Sequence, residues 1–146
     1  MTRHGSNRVI PLVYSCSGCS NVAQLCNAVA IEMDRRGIAR MSCISGVGGG
    51  VPSLVRQARS GLPVLALDGC ELSCAAACLK RAGVEPDEHL VLTGFGLRKR
   101  RGCDAAEDDA AAARLLAEAA LSRLSGMSCG HRASLSSPVC YQELDE

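Results

Sequence analysis

Cys16-Ser-Gly-Cys19 is a C-x2-C turn, short enough to present two sulfurs to one metal ion at the ~2.3 Å zinc–sulfur distance. The same spacing serves thiol–disulfide chemistry beside a βαβ unit. Cys43 lies near the end of a second segment that reads as a strand and Cys70 follows a third, and this favours a metal, because a tetrahedral ion needs donors gathered from several places. Cys70, Cys74 and Cys78 recur every four residues. That spacing stacks them along one side of a helix beginning at Cys70, rotated from its apolar stripe by roughly 60–100°. Cys70, at the helix N-terminus, sits where the dipole favours thiolate. Cys74 reads as a ligand or reactive thiol, and Cys78 as either a ligand or a small buried hydrophobe.

A glycine-rich stretch, Gly46-Val-Gly48-Gly49-Gly50, leads into Val51-Pro52, where proline suits a first helical turn. Backbone N–H groups of Gly48, Gly49 and Gly50 could cradle a small anionic or thiol ligand, or the glycines could serve a tight turn. The stretch lacks the Lys-Ser/Thr of a P-loop and does not fit G-x-G-x-x-G, so a nucleotide reading is weak. Arg56 and Arg59 farther on read as solvated. The run Arg98-Lys99-Arg100-Arg101 has no interleaved aromatics for base stacking and reads as a solvated loop beside the acidic start of the next helix.

Positioning these groups falls to short β-rich runs that alternate with helical periods, the pattern of a mainly parallel sheet. Strands are predicted over Val9–Tyr14, Ile38–Ile44, Leu62–Leu67 and Leu90–Thr93. Ser20 is a plausible cap for a helix whose buried face is Val22, Leu25, Cys26, Val29 and Met33, with Gly37 ending it. Cys26 on that face reads as structural. A short helix runs through Arg59, and another carries Leu72, Ala75, Ala76 and Leu79 toward the core. The fold class is therefore α/β, a small three-layer domain with about four mainly parallel strands plus a C-terminal helix. In such a sheet Cys16, Cys19, Cys43 and Cys70 all fall at the carboxyl edge, where open α/β sheets place their sites.

Beyond Gly94 the character changes. An Ala-rich helix over about Asp104 to Leu124 starts with acids and ends with Arg114 and Arg123, as the macrodipole favours. Its stripe suits core packing or self-association into a homo-oligomer. A boundary near residue 102 divides a cysteine-rich domain, residues 1–102, from a helical extension and tail, residues 103–146. Within the extension, Cys129-Gly-His131 with Cys140 could form a secondary metal site, although cysteines without regular spacing, Cys103 included, read better as incidental.

Composition narrows the function further. Ten cysteines in 146 residues stand against two Tyr, one Phe and no Trp, so sulfur and not aromatic stacking carries the chemistry. Sixteen Lys+Arg against fifteen Asp+Glu leave a net charge of +1, without the bulk field of a nucleic-acid or membrane-surface binder. The apolar run Val9 to Tyr14 is too short for a signal h-region, and nothing approaches the ~20 apolar residues of a membrane span. A cytoplasmic protein with free or metal-bound thiols is the expectation.

Three segments in order, Cys-Ser-Gly-Cys-Ser (16–20), Met-Ser-Cys-Ile-Ser-Gly-Val-Gly-Gly (41–49) and Asp-Gly-Cys-Glu-Leu-Ser-Cys-Ala-Ala-Ala-Cys-Leu (68–79), resemble the DGC-domain family of zinc-binding proteins over roughly residues 9 to 100. The resemblance implies a small α/β domain whose cysteines chelate zinc. Cys16, Cys19, Cys43, Cys70, Cys74 and Cys78 fall in the family motifs, six candidates where one tetrahedral ion takes four. The expectation is a zinc–thiolate site at the sheet edge for metal sensing, carriage or thiol chemistry. The alternative is a redox protein using the same cysteines as iron–sulfur ligands or a thiol–disulfide pair. Catalysis by zinc-activated water would need an open coordination position and a general base. Asp68 is the nearest carboxylate, and orienting the Gly69-Cys70 turn explains it more simply. His89 reads as a surface or packing histidine.

Overall fold

The computed structural model describes residues 9–125 and Met127. In chain order the elements are β1 (Leu12–Ser15), α1 (Asn21–Arg35), β2 (Arg40–Met41), α2 (Ile44–Gly48), α3 (Pro52–Ala58), β3 (Val64–Asp68), α4 (Cys74–Arg81), β4 (Glu88–Val91), a 3₁₀ turn (Leu92–Phe95) and α5 (Glu107–Leu124). The strands form one parallel sheet in the order β2-β1-β3-β4. This is the α/β fold expected, with helices on both faces.

Period-two alternation sorts the strand residues between two cores. Val13, Leu65 and Leu67 face α1 and α5, whereas Leu12, Tyr14, Val64 and Ala66 face the layer of α2, α3 and α4. The central strands β1 and β3 are buried along their whole length, as a parallel sheet covered on both faces requires. Ser20 caps α1 by accepting from the Ala23 N–H at 3.2 Å, and Val22, Leu25, Cys26, Val29 and Met33 form its buried face as the periodicity predicts.

Three elements differ from the sequence expectation. The second strand shrinks to Arg40–Met41, because the Cys43 sulfur accepts from the Gly46 N–H at 3.4 Å and turns the chain directly into α2. Glycine is a poor helix former, yet a Cβ on Gly48 would lie 2.8 Å from the Cys78 sulfur, so close packing of α2 on α4 overrides propensity. The helix expected to begin at Cys70 begins at Cys74. Ser73 adopts a left-handed conformation, φ 51°, and residues 70–73 form a turn closed by Ser73 N–H to Cys70 C=O at 3.0 Å. Leu72, placed in the core by periodicity, is therefore 67% exposed. Finally, β4 starts at Glu88 and residues 92–95 close into the 3₁₀ turn, earlier than the strand expected over residues 90–93.

The Ala-rich helix packs on the sheet. Ala113, Ala117, Ala120, Leu121 and Leu124 join the same core as β3 and α1. Around the rim Arg123 makes two 2.9 Å bonds to Glu88, Arg114 reaches Glu32 at 2.7 Å, and Arg36 pairs with Glu118. Exposed pairs of this kind fix orientation more than they stabilise. Among the described residues no helix is long and apolar enough to cross a membrane.

The seating of α5 is testable with a matched pair. Leu124 is 2% exposed and Leu115 69%. Leu124→Ala should lower the unfolding free energy by about 2–5 kcal/mol, whereas Leu115→Ala should stay within roughly 0.5 kcal/mol of the parent in urea unfolding. Equal effects would mean the helix is rotated from this seating.

Candidate functional site

The strand order reverses between β1 and β3, which are hydrogen-bonded neighbours in register from Leu12 with Val64 to Ser15 with Leu67. The chain leaves β1 toward α1 on one face and leaves β3 toward α4 on the other. Their carboxyl ends flank the crevice where open α/β sheets bind ligands. Cys16 follows β1, and its N–H donates to Leu67 C=O at 2.9 Å. Gly69 and Cys70 follow β3, and the Gly69 N–H points at the Cys16 sulfur, 3.2 Å away.

Asp68, the last residue of β3, is 1% exposed, and its carboxylate is fully employed. Oδ1 accepts from the Ala75 N–H at 2.8 Å and Oδ2 from the Ala76 N–H at 3.1 Å. These are two of the four first-turn donors that α4 cannot satisfy itself, and Ser73 supplies no side-chain cap. His89 Nε2 lies 2.9 Å from Oδ2. The sequence reading that Asp68 orients the Gly69-Cys70 turn is thus corrected: it caps α4 from the strand and takes His89, read as a surface or packing residue, as a third partner.

Gly69 has a separate reason to be glycine. A Cβ there would lie 2.8 Å from the Val22 carbonyl carbon and 2.9 Å from the Ala23 nitrogen, atoms of α1's backbone that cannot move aside. The close approach brings the β3–α4 turn against the start of α1.

The cysteines divide into two sets. Cys16, Cys26, Cys70, Cys74 and Cys78 lie within electrostatic reach of one another or of Asp68. The Cys26 thiol is hydrogen-bonded to Cys16 and holds the Cys16 thiol below the ordinary value of 9.0; the Gly69 N–H works in the same direction, against burial and the Asp68 charge. Cys26 is pushed strongly upward, first by its bond to Cys16 and then by burial. Partial desolvation, followed by the charges of Asp68 and the neighbouring thiols, raises Cys74. The second set, Cys19 and Cys43, is exposed, and Cys43 caps α2. Cys103 is exposed as well. Cys129, His131 and Cys140 lie outside the described residues.

The basic segment is the exposed loop expected, but its backbone is tethered. Asn21, buried at the start of α1, donates from Nδ2 to Arg98 C=O at 3.0 Å and accepts the Arg100 N–H at 2.6 Å, while Ser20 bridges to Arg101. So tethered, the segment brings Lys99 Nζ to 3.3 Å from the Cys70 sulfur. Cys16, Cys43 and Cys70 therefore each accept a hydrogen bond from nitrogen at the carboxyl edge. Among the described residues no three Cys, His, Asp or Glu side chains come together closely enough to hold a metal ion. The donors share an edge, but in this arrangement they do not fit a ready-made tetrahedral site.

Comparison with known sequences follows the same landmarks. The DGC domain matches residues 12–116, which carry all four strands and reach into α5. The chain belongs to the DGC family. A relative from Pseudomonas aeruginosa, the anaerobic and virulence modulator AnvM, is 60% identical over 101 residues, covering 69% of this chain and 77% of the relative. No solved structure matches.

Of the groups that make this DGC domain's site, Cys26, Lys99, Asn21 and His89 had no spacing signal. Their partners lie 10 to 79 residues away, and only the folded sheet edge brings them together. The role of Asp68 sets a direct test. Asp68→Asn, which replaces one acceptor by a donor facing α4, should cost about 1–3 kcal/mol, and Gly69→Ala a similar amount through overpacking. Denaturant unfolding followed by circular dichroism reads both, and parent-like stability in either variant would contradict the contacts described.

Proposed function

We propose that this DGC domain is a thiol-based redox-responsive module in which Cys16 is the reactive thiolate and Cys26 its resolving partner. One observation carries the reading: at the switch point the Cys16 sulfur accepts from the Gly69 N–H at 3.2 Å, and this donor together with the neighbouring Cys26 thiol favours negative charge on Cys16. Thiolate character and access together set thiol reactivity, and Cys16, buried at 8% exposure, has the first of these.

The oxidant is hydrogen peroxide. The Cys16 thiolate attacks one peroxide oxygen, the O–O bond breaks, and hydroxide leaves and is protonated to water, giving a sulfenic acid. The Cys26 sulfur then attacks the sulfenic sulfur; its thiol proton and the sulfenic hydroxyl depart as a second water, and the S–S bond forms. Two thiols are oxidised to a disulfide and one peroxide is reduced to two waters. The name of the relative, an anaerobic and virulence modulator, supports a module whose thiols report oxidation. Free thiols are the resting state this chemistry requires, in keeping with a cytoplasmic location.

A zinc–thiolate site is the second reading. It is favoured by the placement of Cys16, Cys70 and Cys78 within electrostatic reach of Cys74, and it requires the Cys16 and Cys70 sulfurs to leave their present nitrogen donors.

The pH dependence follows from the lowered Cys16 value. Between that value and the ordinary 9.0, the folded chain binds fewer protons at Cys16 than the unfolded chain does. This contribution to stability therefore grows with pH across the window and is lost as pH falls through the folded value. Ultraviolet thiolate absorbance should show a first ionisation below the ordinary thiol range in the parent, absent in Cys16→Ser and moved back upward in Cys26→Ser. One equivalent of hydrogen peroxide should yield a Cys16–Cys26 disulfide by peptide mapping. A parent titration unchanged by Cys16→Ser would overturn the thiolate assignment. Purified protein carrying stoichiometric zinc on Cys16 would replace it with the metal reading, and iron with visible colour with a cluster.

A further inference from the structure

On the far side of α2 from the sheet edge, a cavity of about 510 Å³ opens between the glycine turn 48–50, Arg56 and Arg59 of the α3 end, and Arg81 at the end of α4. No acidic residue lines it. Three arginines, whose guanidinium groups stay charged at any physiological pH, thus border one volume in a chain whose net charge is only +1. Arg56 and Arg81 lie in the last turns of their helices, where a cation suits the dipole. The dipole, however, gives no reason for three such groups from separate segments to border a common space.

Arg59 is fixed there. Its Nε donates to Ala82 C=O at 2.7 Å, which holds the guanidinium plane and leaves its terminal nitrogens available. Of the two readings the sequence left open for the glycines, the backbone hydrogen bonds match the tight turn. The Gly49 N–H donates to Ser45 C=O at 2.9 Å and the Gly50 N–H to Val47 C=O at 3.1 Å, so these donors are spent closing α2 and cannot cradle an anion. What the turn supplies is space. Nothing lies within 4 Å of where a Cβ on Gly50 would be, and Gly50 at φ 75° holds the chain clear of the cavity.

We propose that this cavity binds a small molecule bearing phosphate groups with at least two negative charges. Planar guanidinium forks match phosphate oxygens in pairs, three cations repel one another until an anion enters, and the volume is that of a small-ligand site, larger than a phosphate group alone needs. Val47 and Val55 add apolar wall to the cavity, suited to an organic portion. The proposal is independent of the thiol reading.

Heteronuclear NMR of the full chain titrated with inorganic pyrophosphate tests it, with ADP as a second probe that adds an organic portion and sulfate at equal ionic strength as the control. Pyrophosphate should shift the side-chain Nε–H signals of Arg56, Arg59 and Arg81 and the amides of residues 47–59. ADP should bind at the same signals, more tightly if the apolar wall is used. Arg56→Gln/Arg81→Gln, whose side chains are exposed and hold no structural contact described, should fold as the parent does and weaken pyrophosphate by at least about tenfold. Shifts confined to residues 98–101, a response no larger than that to sulfate, or unchanged affinity in the folded double variant would each overturn the proposal. Should the double variant not fold, the location of the shifts in the parent decides alone.

Discussion

The buried carboxylate of Asp68 is the interaction on which the rest of the site depends. A carboxylate with 1% exposure is tolerated only when hydrogen-bonded throughout, and here two N–H groups of α4 and the imidazole of His89 meet that requirement. The bonds run both ways. They satisfy the acid, and they anchor a helix of eight residues, too short to persist alone, to the end of a fully buried strand. Because the cap comes from β3 and not from the residue preceding the helix, the intervening turn is free to project Cys70 and expose Leu72. Ser73 carries the left-handed step this geometry demands.

Topology does the remaining positioning. With β1 and β3 adjacent and their connections leaving to opposite faces, the only groups that can fill the gap between their carboxyl ends are the first residues after each strand. Those residues are Cys16 and Gly69. The absence of a side chain at Gly69 lets the two turns close on α1, and the same closure aims a backbone N–H at sulfur. The Asp-Gly-Cys triplet thus divides its labour: a carboxylate to hold the helix, a glycine to permit contact, and a cysteine presented at the rim beside Lys99.

Patterns of two and 3.6 residues made the α/β class, the strand count and the buried face of α1 legible, since Val22, Leu25, Cys26, Val29 and Met33 repeat a clean period. The placement of Cys16, Cys43 and Cys70 at the carboxyl edge of successive strands was equally readable. What local pattern could not carry was tertiary capping and close approach. Gly46 to Gly48 are helical because α4 and Leu54 leave room for hydrogen only, and propensity alone argues the reverse. The Cys70, Cys74, Cys78 spacing looked like one helix because a four-residue period is blind to a single left-handed residue at position 73. Nor does any short-range signal join Lys99 to Cys70, a contact made through Asn21 and the start of α1.

The two faces of the sheet differ in a way that sorts the cysteines. One face is covered by long helices, α1 and α5, with a continuous apolar core. The other carries α2, α3 and α4, of five, seven and eight residues, none able to stand without tertiary contacts. Cysteines supply two of those contacts: Cys43 caps α2 through sulfur, and Cys78 fills the space that Gly48 leaves open. A small polarizable sulfur suits both tasks, because it packs like a hydrophobe and still accepts an N–H. These two cysteines therefore have structural work that would constrain them even without any chemistry at the edge. Cys16 also accepts a backbone N–H, from Gly69, but it alone has in addition a neighbouring thiol, Cys26, at the switch point, and both favour negative charge on its sulfur. The chemical reading belongs to Cys16 and its neighbours for that reason, and not to the cysteine count as a whole.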